Sequence, residues 1–150
     1  MTDALNKSLF DNIGPLKANM GSSVGDPRIL PVLTLAYVGD AVFELMVRQH
    51  FLAQGFLKSG QLHKKAISLV CAKRQSLLAN HVEKLLTDEE LNIYKRGRNA
   101  KSGHQPPNVP VTDYRRATGI EALVGFLYLK KDEQRLVWLF DVLFEDMADC

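Results

Sequence analysis

Leu35-Ala36-Tyr37-Val38-Gly39-Asp40-Ala41-Val42 spaces its apolar residues helically rather than alternately, and the series runs on through Leu45, Met46 and Phe51. That spacing predicts an amphipathic helix. Pro31 suits its first turn, where a missing N–H needs no partner, and Gln54-Gly55 suits its end. Asp40 stands inside this apolar run, where a lone acid is costly to desolvate unless it is paired, hydrogen-bonded or bound to a cation. Tyr37, Asp40 and Glu44 fall at i, i+3 and i+7 and share one face, while Gly39 lets another backbone or a ligand come close.

A second motif, Gly119-Ile120-Glu121-Ala122-Leu123-Val124-Gly125, repeats the arrangement 81 residues later, from Asp40 to Glu121. Thr118, Glu121, Gly125 and Tyr128 form its stripe. If the two helices cross at these stripes, Asp40 and Glu121 offer hard oxygen ligands for Mg²⁺ or Mn²⁺. Such ions keep several waters and take phosphate oxygens in their remaining positions. A phosphodiester is the matching substrate: the ion orients a water for in-line attack and offsets charge on the leaving oxygen, so no side-chain nucleophile is needed. Spacing alone leaves a second reading open, in which both acids merely pair with arginine or cap neighbouring helices. For Glu44 that reading is the stronger, because Arg48 sits at i+4 in the favourable order. Glu44 is therefore only a secondary metal candidate.

Outward from these motifs the helical period persists, and no segment alternates as a strand would. The fold class is all-α. A second helix is expected from Ser59 as its cap through Leu62, Leu69, Leu78 and Leu85, bent or broken on the way. Thr87-Asp88-Glu89-Glu90 is a capping box opening a helix that Gly97 ends or loosens. Ser102 to Pro110, with three prolines, is a loop. Asp113 caps a helix from Tyr114 to about Lys130, and Asp132 or Glu133 opens the last one.

A chain of 150 residues with 46% apolar content suits one domain with its own core, preceded by an irregular arm over residues 1–30. Cys71 and Cys150 have neither metal-ligand spacing nor the density of a disulfide framework, and Cys71 reads as a core residue. The first thirty residues hold no long apolar run, so neither a secretory signal nor a membrane span is expected and the setting is cytoplasmic. A net charge of +2 excludes a bulk polycation, but charge is unevenly spread. Lys95 to Arg116 carries six bases against one acid, and Glu121 to Cys150 seven acids against three bases.

The first motif resembles the signature helix of ribonuclease III catalytic domains, and the second resembles their second acidic motif. The match is closest to the compact Mini-III branch, through Tyr37 to Glu44 and Arg96-Gly97-Arg98-Asn99-Ala100-Lys101-Ser102, and it covers about residues 30–145. The resemblance implies an all-helical homodimeric endonuclease that cuts double-stranded RNA with Mg²⁺, leaving 5′-phosphate and 3′-hydroxyl ends. It also implies maturation of precursor 23S ribosomal RNA, with a ribosomal protein as a further partner. It assigns metal binding and catalysis to Asp40 and Glu121, and a dimer contact to Tyr37. Two departures bear on the metal count. The full-length family has a Glu where this chain has Ala36 and an Asp where it has Thr118, which leaves water, Thr118 or Glu44 to complete the coordination shell. The double-stranded RNA-binding domain that usually follows is also not expected here, because only about two dozen residues remain after the last motif.

Without that domain, RNA must be gripped by the catalytic domain itself. A-form duplexes are recognised by shape, phosphates and 2′-hydroxyls. Arg96, Arg98 and Lys101, with Asn99 and Ser102 as neutral donors and Arg115 and Arg116 beside them, are the RNA-binding candidates. His104, in the loop, suits solvent or an RNA contact better than a metal, and His50, His63 and His81 read as structural or surface residues. A two-fold dimer suits a duplex, since each of two active sites can face one strand. The alternative is an inactive RNA-binding or ribosome-associated relative whose depleted acids no longer cleave; metal-dependent cleavage separates the two.

Overall fold

Apolar periodicity around Gly39 is realised as helix α1, Val32–Ala53, in a computed structural model that describes residues 24–56, 58–70, 79–101, 103 and 107–147. The helices that follow are α2 (Ser59–Val70), α3 (Asp88–Asn99), α4 (Val111–Lys130) and α5 (Glu133–Met147). Short 3₁₀ turns occur at Pro27–Ile29 and Glu83–Leu85. No strand occurs among the described residues, so the all-α expectation holds. No described helix is long and apolar enough to cross a membrane.

Helix α4 is the axis of the molecule. Residues 117–120 and 122–127 are all buried, so the helix has no polar face along that stretch and must be surrounded. Its most extensive contacts are with α1, then with α3. Helix α1 is two-faced instead: Leu35, Ala36, Gly39, Val42, Phe43, Val47 and Phe51 are buried, while Leu33, Tyr37, Asp40 and Leu45 face outward. Phe43 meets Phe140 at 5.7 Å between ring centroids, and His50 stacks on Phe144 at 4.2 Å, which fastens α5 to the far end of α1.

The capping box forms as expected. Thr87 Oγ1 accepts from the Glu90 amide at 3.3 Å, and Glu90 Oε1 accepts from the Thr87 amide at 2.8 Å. Glu90 is itself buried, and Arg135 of α5 grips it with Nε at 2.7 Å and Nη2 at 2.8 Å. Burial pushes the Glu90 carboxyl up, but the bonds from Arg135 and Thr87 outweigh it and hold the group below the usual carboxylate range. At the end of α4, Lys131 takes a left-handed conformation with φ of 63°. The amides of Lys131 and Asp132 then return to the carbonyls of Tyr128 and Leu127, both at 3.1 Å. Asp132 caps α5 by accepting from the Arg135 amide at 3.2 Å.

Three local expectations are corrected. Gly97 does not end α3, which runs on to Asn99, because the glycine is buried where α3 presses on Gly119 and Ala122. Asp113 does not cap α4; the helix begins at Val111 after Pro110, and Asp113 sits in its first turn. Ser59 is not the cap of α2 but its first residue, since the Leu62 amide bonds the Lys58 carbonyl at 3.0 Å. Residues 1–23 of the arm, Cys71, Leu78, Ser102, His104 and Cys150 lie outside the described residues.

Candidate functional site

Two glycines decide where α1 and α4 cross. A Cβ placed on Gly39 would run into the carbonyl oxygen of Glu121 and lie 2.7 Å from the Gly125 amide nitrogen. A Cβ on Gly125 would run into the carbonyl of Leu35 and stand 3.0 Å from the Gly39 nitrogen. The helices therefore touch backbone to backbone through the buried side of α1 at Leu35 and Gly39, while Tyr37 and Asp40 of its acidic stripe face outward beside the contact. Asp40 follows the first glycine directly, and Glu121 supplies the carbonyl packed against it. Both candidate acids thus spring from adjoining points of one crossing.

Their surroundings differ. Asp40 faces solvent and Glu121 is half-buried. Packing beneath Asp40 removes part of its hydration, and this burial, joined by the charge of Glu44 one turn on, pushes its carboxyl above the ordinary range. Glu44 Oε1 accepts from Arg48 Nη2 at 2.6 Å, as the i, i+4 reading anticipates. Thr118 is buried, and its hydroxyl donates to the Tyr114 carbonyl at 2.9 Å within its own helix, while Ala36 is buried with no group to offer.

Among the described residues no three His, Cys, Asp or Glu side chains gather as a metal-holding group. The candidate donors beside the crossing are the carboxylates of Asp40 and Glu121, with Glu44 one turn from Asp40. Two carboxylates suit a Mg²⁺-like ion that fills its other positions with water and phosphate oxygens, and do not suit a cation that demands an all-protein cage.

A second assembly lies at the ends of α3 and α4. Arg98 and Asn99, from the last turn of α3, meet Thr112, Arg115 and Arg116, from the first turns of α4, around a depression of about 230 Å³. Helix C-termini attract cations, which favours arginines in that last turn. Glu83 also lines the depression, with Oε1 at 3.6 Å from Arg98 Nη1. Below it the fully buried Tyr94 has its hydroxyl pushed up by burial and by Glu83, against the pull of Arg98 and Arg116. Arg96 and Lys101 are exposed nearby in sequence but do not line this depression. The sequence reading missed Glu83, and no signal in the sequence ties it to Arg98. Arg115 and Arg116 it assigned only a supporting place.

The family model for the Ribonuclease III domain matches residues 33–132, a span that holds both acidic motifs and the basic stretch. The chain belongs to the ribonuclease III family. Within the family it is similar to Mini-ribonuclease 3 of Brevibacillus brevis, at 44% identity over 119 residues, covering 79% of this chain and 89% of that one. It is also similar to Mini-ribonuclease 3 of Desulfitobacterium hafniense, at 47% identity over 109 residues, 73% of this chain and 69% of that one. A crystal structure of a Fusobacterium nucleatum protein shares the fold with a TM-score of 0.72 and 33% identity, over 81% of this chain and 98% of that chain. The chain is thus an endoribonuclease of the Mini-III branch, as the two motifs imply.

Proposed function

We propose that this endoribonuclease is a single catalytic domain that cleaves double-stranded RNA in a divalent-metal-dependent reaction, Mg²⁺ being the natural ion and Mn²⁺ a substitute. The observation that carries the reading is the α1–α4 crossing, from which Asp40 and Glu121 both spring. These two carboxylates would hold the ion, with Glu44 as a secondary ligand. When bound, such an ion lowers the pKa of its water and polarises the phosphoryl oxygen, the chemistry of phosphodiester hydrolysis to 5′-phosphate and 3′-hydroxyl ends. Asp40 must be ionised to serve, and its raised pKa places that requirement at a less acid pH than for an ordinary carboxylate. Arg96, Arg98, Asn99, Lys101 and Ser102, with Arg115 and Arg116, take the phosphates of the duplex.

Two copies of the chain are proposed to act on the two strands. Ile29, Leu33, Tyr37, Ala41 and Leu45 leave an exposed apolar line along one side of α1 and the turn before it, with Tyr37 82% exposed. A line of that kind suits an isologous contact between copies. Maturation of precursor 23S ribosomal RNA in the cytoplasm, alongside a ribosomal protein, is the biological role that the resemblance supports.

The deciding experiment incubates purified protein with long duplex RNA, with and without Mg²⁺, and then analyses the ends. Metal-dependent products bearing 5′-phosphates and 3′-hydroxyls are expected. Duplex binding without cleavage at any Mg²⁺ or Mn²⁺ concentration would favour an inactive RNA-binding relative instead.

A further inference from the structure

We propose that the depression between α3 and α4 seats one backbone phosphate of the duplex, and that Glu83 is the internal counter-ion this phosphate must displace. The proposal rests on the reading of the chain as a duplex RNA nuclease. Three arginines, Arg98, Arg115 and Arg116, line a hollow of about 230 Å³, roomy enough for a phosphate with water around it. Guanidinium is well matched to phosphate, because its planar fork can bind two oxygens at once. Arg98 is oriented for this before any ligand arrives: its Nε donates to Asn99 Oδ1 at 3.2 Å, and its guanidinium lies over the Tyr94 ring at 5.8 Å.

Among the described residues, Glu83 is the one carboxylate lining the hollow. Its backbone is anchored from the preceding turn, where Ala79 and Val82 are fully buried, so the side chain is held at the rim. The 3.6 Å separation from Arg98 is an ion pair too long to be a hydrogen bond, and both side chains are about one-third exposed. Such a pair contributes little stability and is readily exchanged. In the free protein Glu83 relieves the mutual repulsion of the three arginines. With a phosphate seated, the same carboxylate faces a second anion and opposes it. Glu83 therefore limits affinity and lowers the effective number of phosphates that the protein neutralises.

The test measures binding of a short RNA duplex to the full chain without divalent metal, across a KCl series, for the parent, Glu83→Gln and the double variant Arg115→Gln/Arg116→Gln. Glu83→Gln keeps the side chain's size and removes its charge. It should bind about three- to tenfold tighter near 0.1 M salt, with a log–log salt slope steeper by about 0.9. The double variant should bind more weakly and with a shallower slope. Duplexes with 5′-phosphate and with 5′-hydroxyl ends should bind alike, because the seat takes a backbone phosphate; a requirement for the terminal phosphate overturns that assignment. If Glu83→Gln binds no tighter while the double variant is weakened, the seat stands and the counter-ion role falls. If the double variant matches the parent in both affinity and slope, the seat itself is refuted. Metal-dependent duplex cleavage by the parent would still uphold the broader reading in either case, and its absence would remove that reading independently.

Discussion

The backbone carbonyl of Glu121 rests on Gly39, at the spot where any other residue would carry a Cβ. Side-chain rearrangement cannot relieve that contact, since the atoms involved belong to two helix backbones. Gly39→Ala and Gly125→Ala should therefore each destabilise the fold by at least about 3 kcal/mol, near the upper end for overpacking. Gly97→Ala should cost less, because its nearest obstacle is the Ala122 methyl at 2.9 Å. Thermal or urea melts of the three variants check the order; a melt for Gly39→Ala like that of the parent would mean that the helices can part without loss.

Asp40→Asn should abolish cleavage while leaving duplex binding in place, because an amide is a far poorer ligand for a hard cation. Its stability should move the other way. A carboxyl whose pKa is raised in the folded state binds more protons there than when unfolded. Its contribution therefore falls as pH rises through the window between its ordinary and its raised pKa, and the penalty is complete above that window. At neutral pH the variant should be at least as stable as the parent, by less than about 1 kcal/mol, because the carboxylate faces solvent. Undiminished turnover would remove Asp40 from the site.

Glu44→Gln should shift the acid limb of the cleavage profile to lower pH. Burial still holds the Asp40 pKa up in that variant, but the second cause of the shift is gone. The lost Glu44–Arg48 pair is exposed and costs little stability. A pH–rate series at saturating Mg²⁺ checks this, and an unmoved limb would dissociate Asp40 ionisation from the rate.

Most of the helical plan could be read from the sequence, because the signals were local. Thr87 and Glu90 lie three residues apart and form the box that their spacing anticipates. Gly39, next to Asp40, and Gly125, one turn from Glu121 on its stripe, anticipated a close approach of the two helices. What misled was punctuation without its tertiary partner: Gly97 resembles a stop signal until Gly119 and Ala122 are seen packed against it. The depression draws on residues 83, 98, 99, 111, 112, 115 and 116, and no local pattern links Glu83 to Arg98. The Glu90–Arg135 pair, 45 residues apart, was hidden for the same reason. Pairing across helices depends on which faces meet, and periodicity within one helix does not carry that information.

Arg135→Ala should destabilise the protein by about 3 kcal/mol, since it leaves a buried carboxylate without its cation. The variant also loses a bond to the Leu85 carbonyl at 3.0 Å and the stacking of the guanidinium on Trp138 at 3.6 Å. Lysine should rescue only part of the loss, because it cannot reproduce the two-pronged grip. In the parent, Glu90 has a lowered pKa, so its stabilisation is present above the ordinary carboxylate pKa and is lost as pH falls through the folded value. Denaturant melts from neutral to acid pH should show that loss in the parent and a flatter dependence in Glu90→Gln. Equal slopes would place the acid sensitivity elsewhere.

Tyr37→Glu should convert a dimer to a monomer without harming the protomer. Tyr37 is 82% exposed and Ala41 lies one turn further along the same exposed side, so in a lone chain a charge there is solvated and meets only a mild repulsion from Asp40 at i+3. In a two-fold contact the same substitution brings each copy's carboxylate into an apolar seam between Leu33 and Leu45, where a charge is costly to desolvate. Sedimentation at micromolar concentration should find the parent at twice the mass of the variant, with helical content equal in both. The variant should nick one strand of a duplex at a time, where the paired sites of the parent cut both together. A parent that sediments as a monomer, or a variant that still dimerises, would remove this face of α1 from the interface.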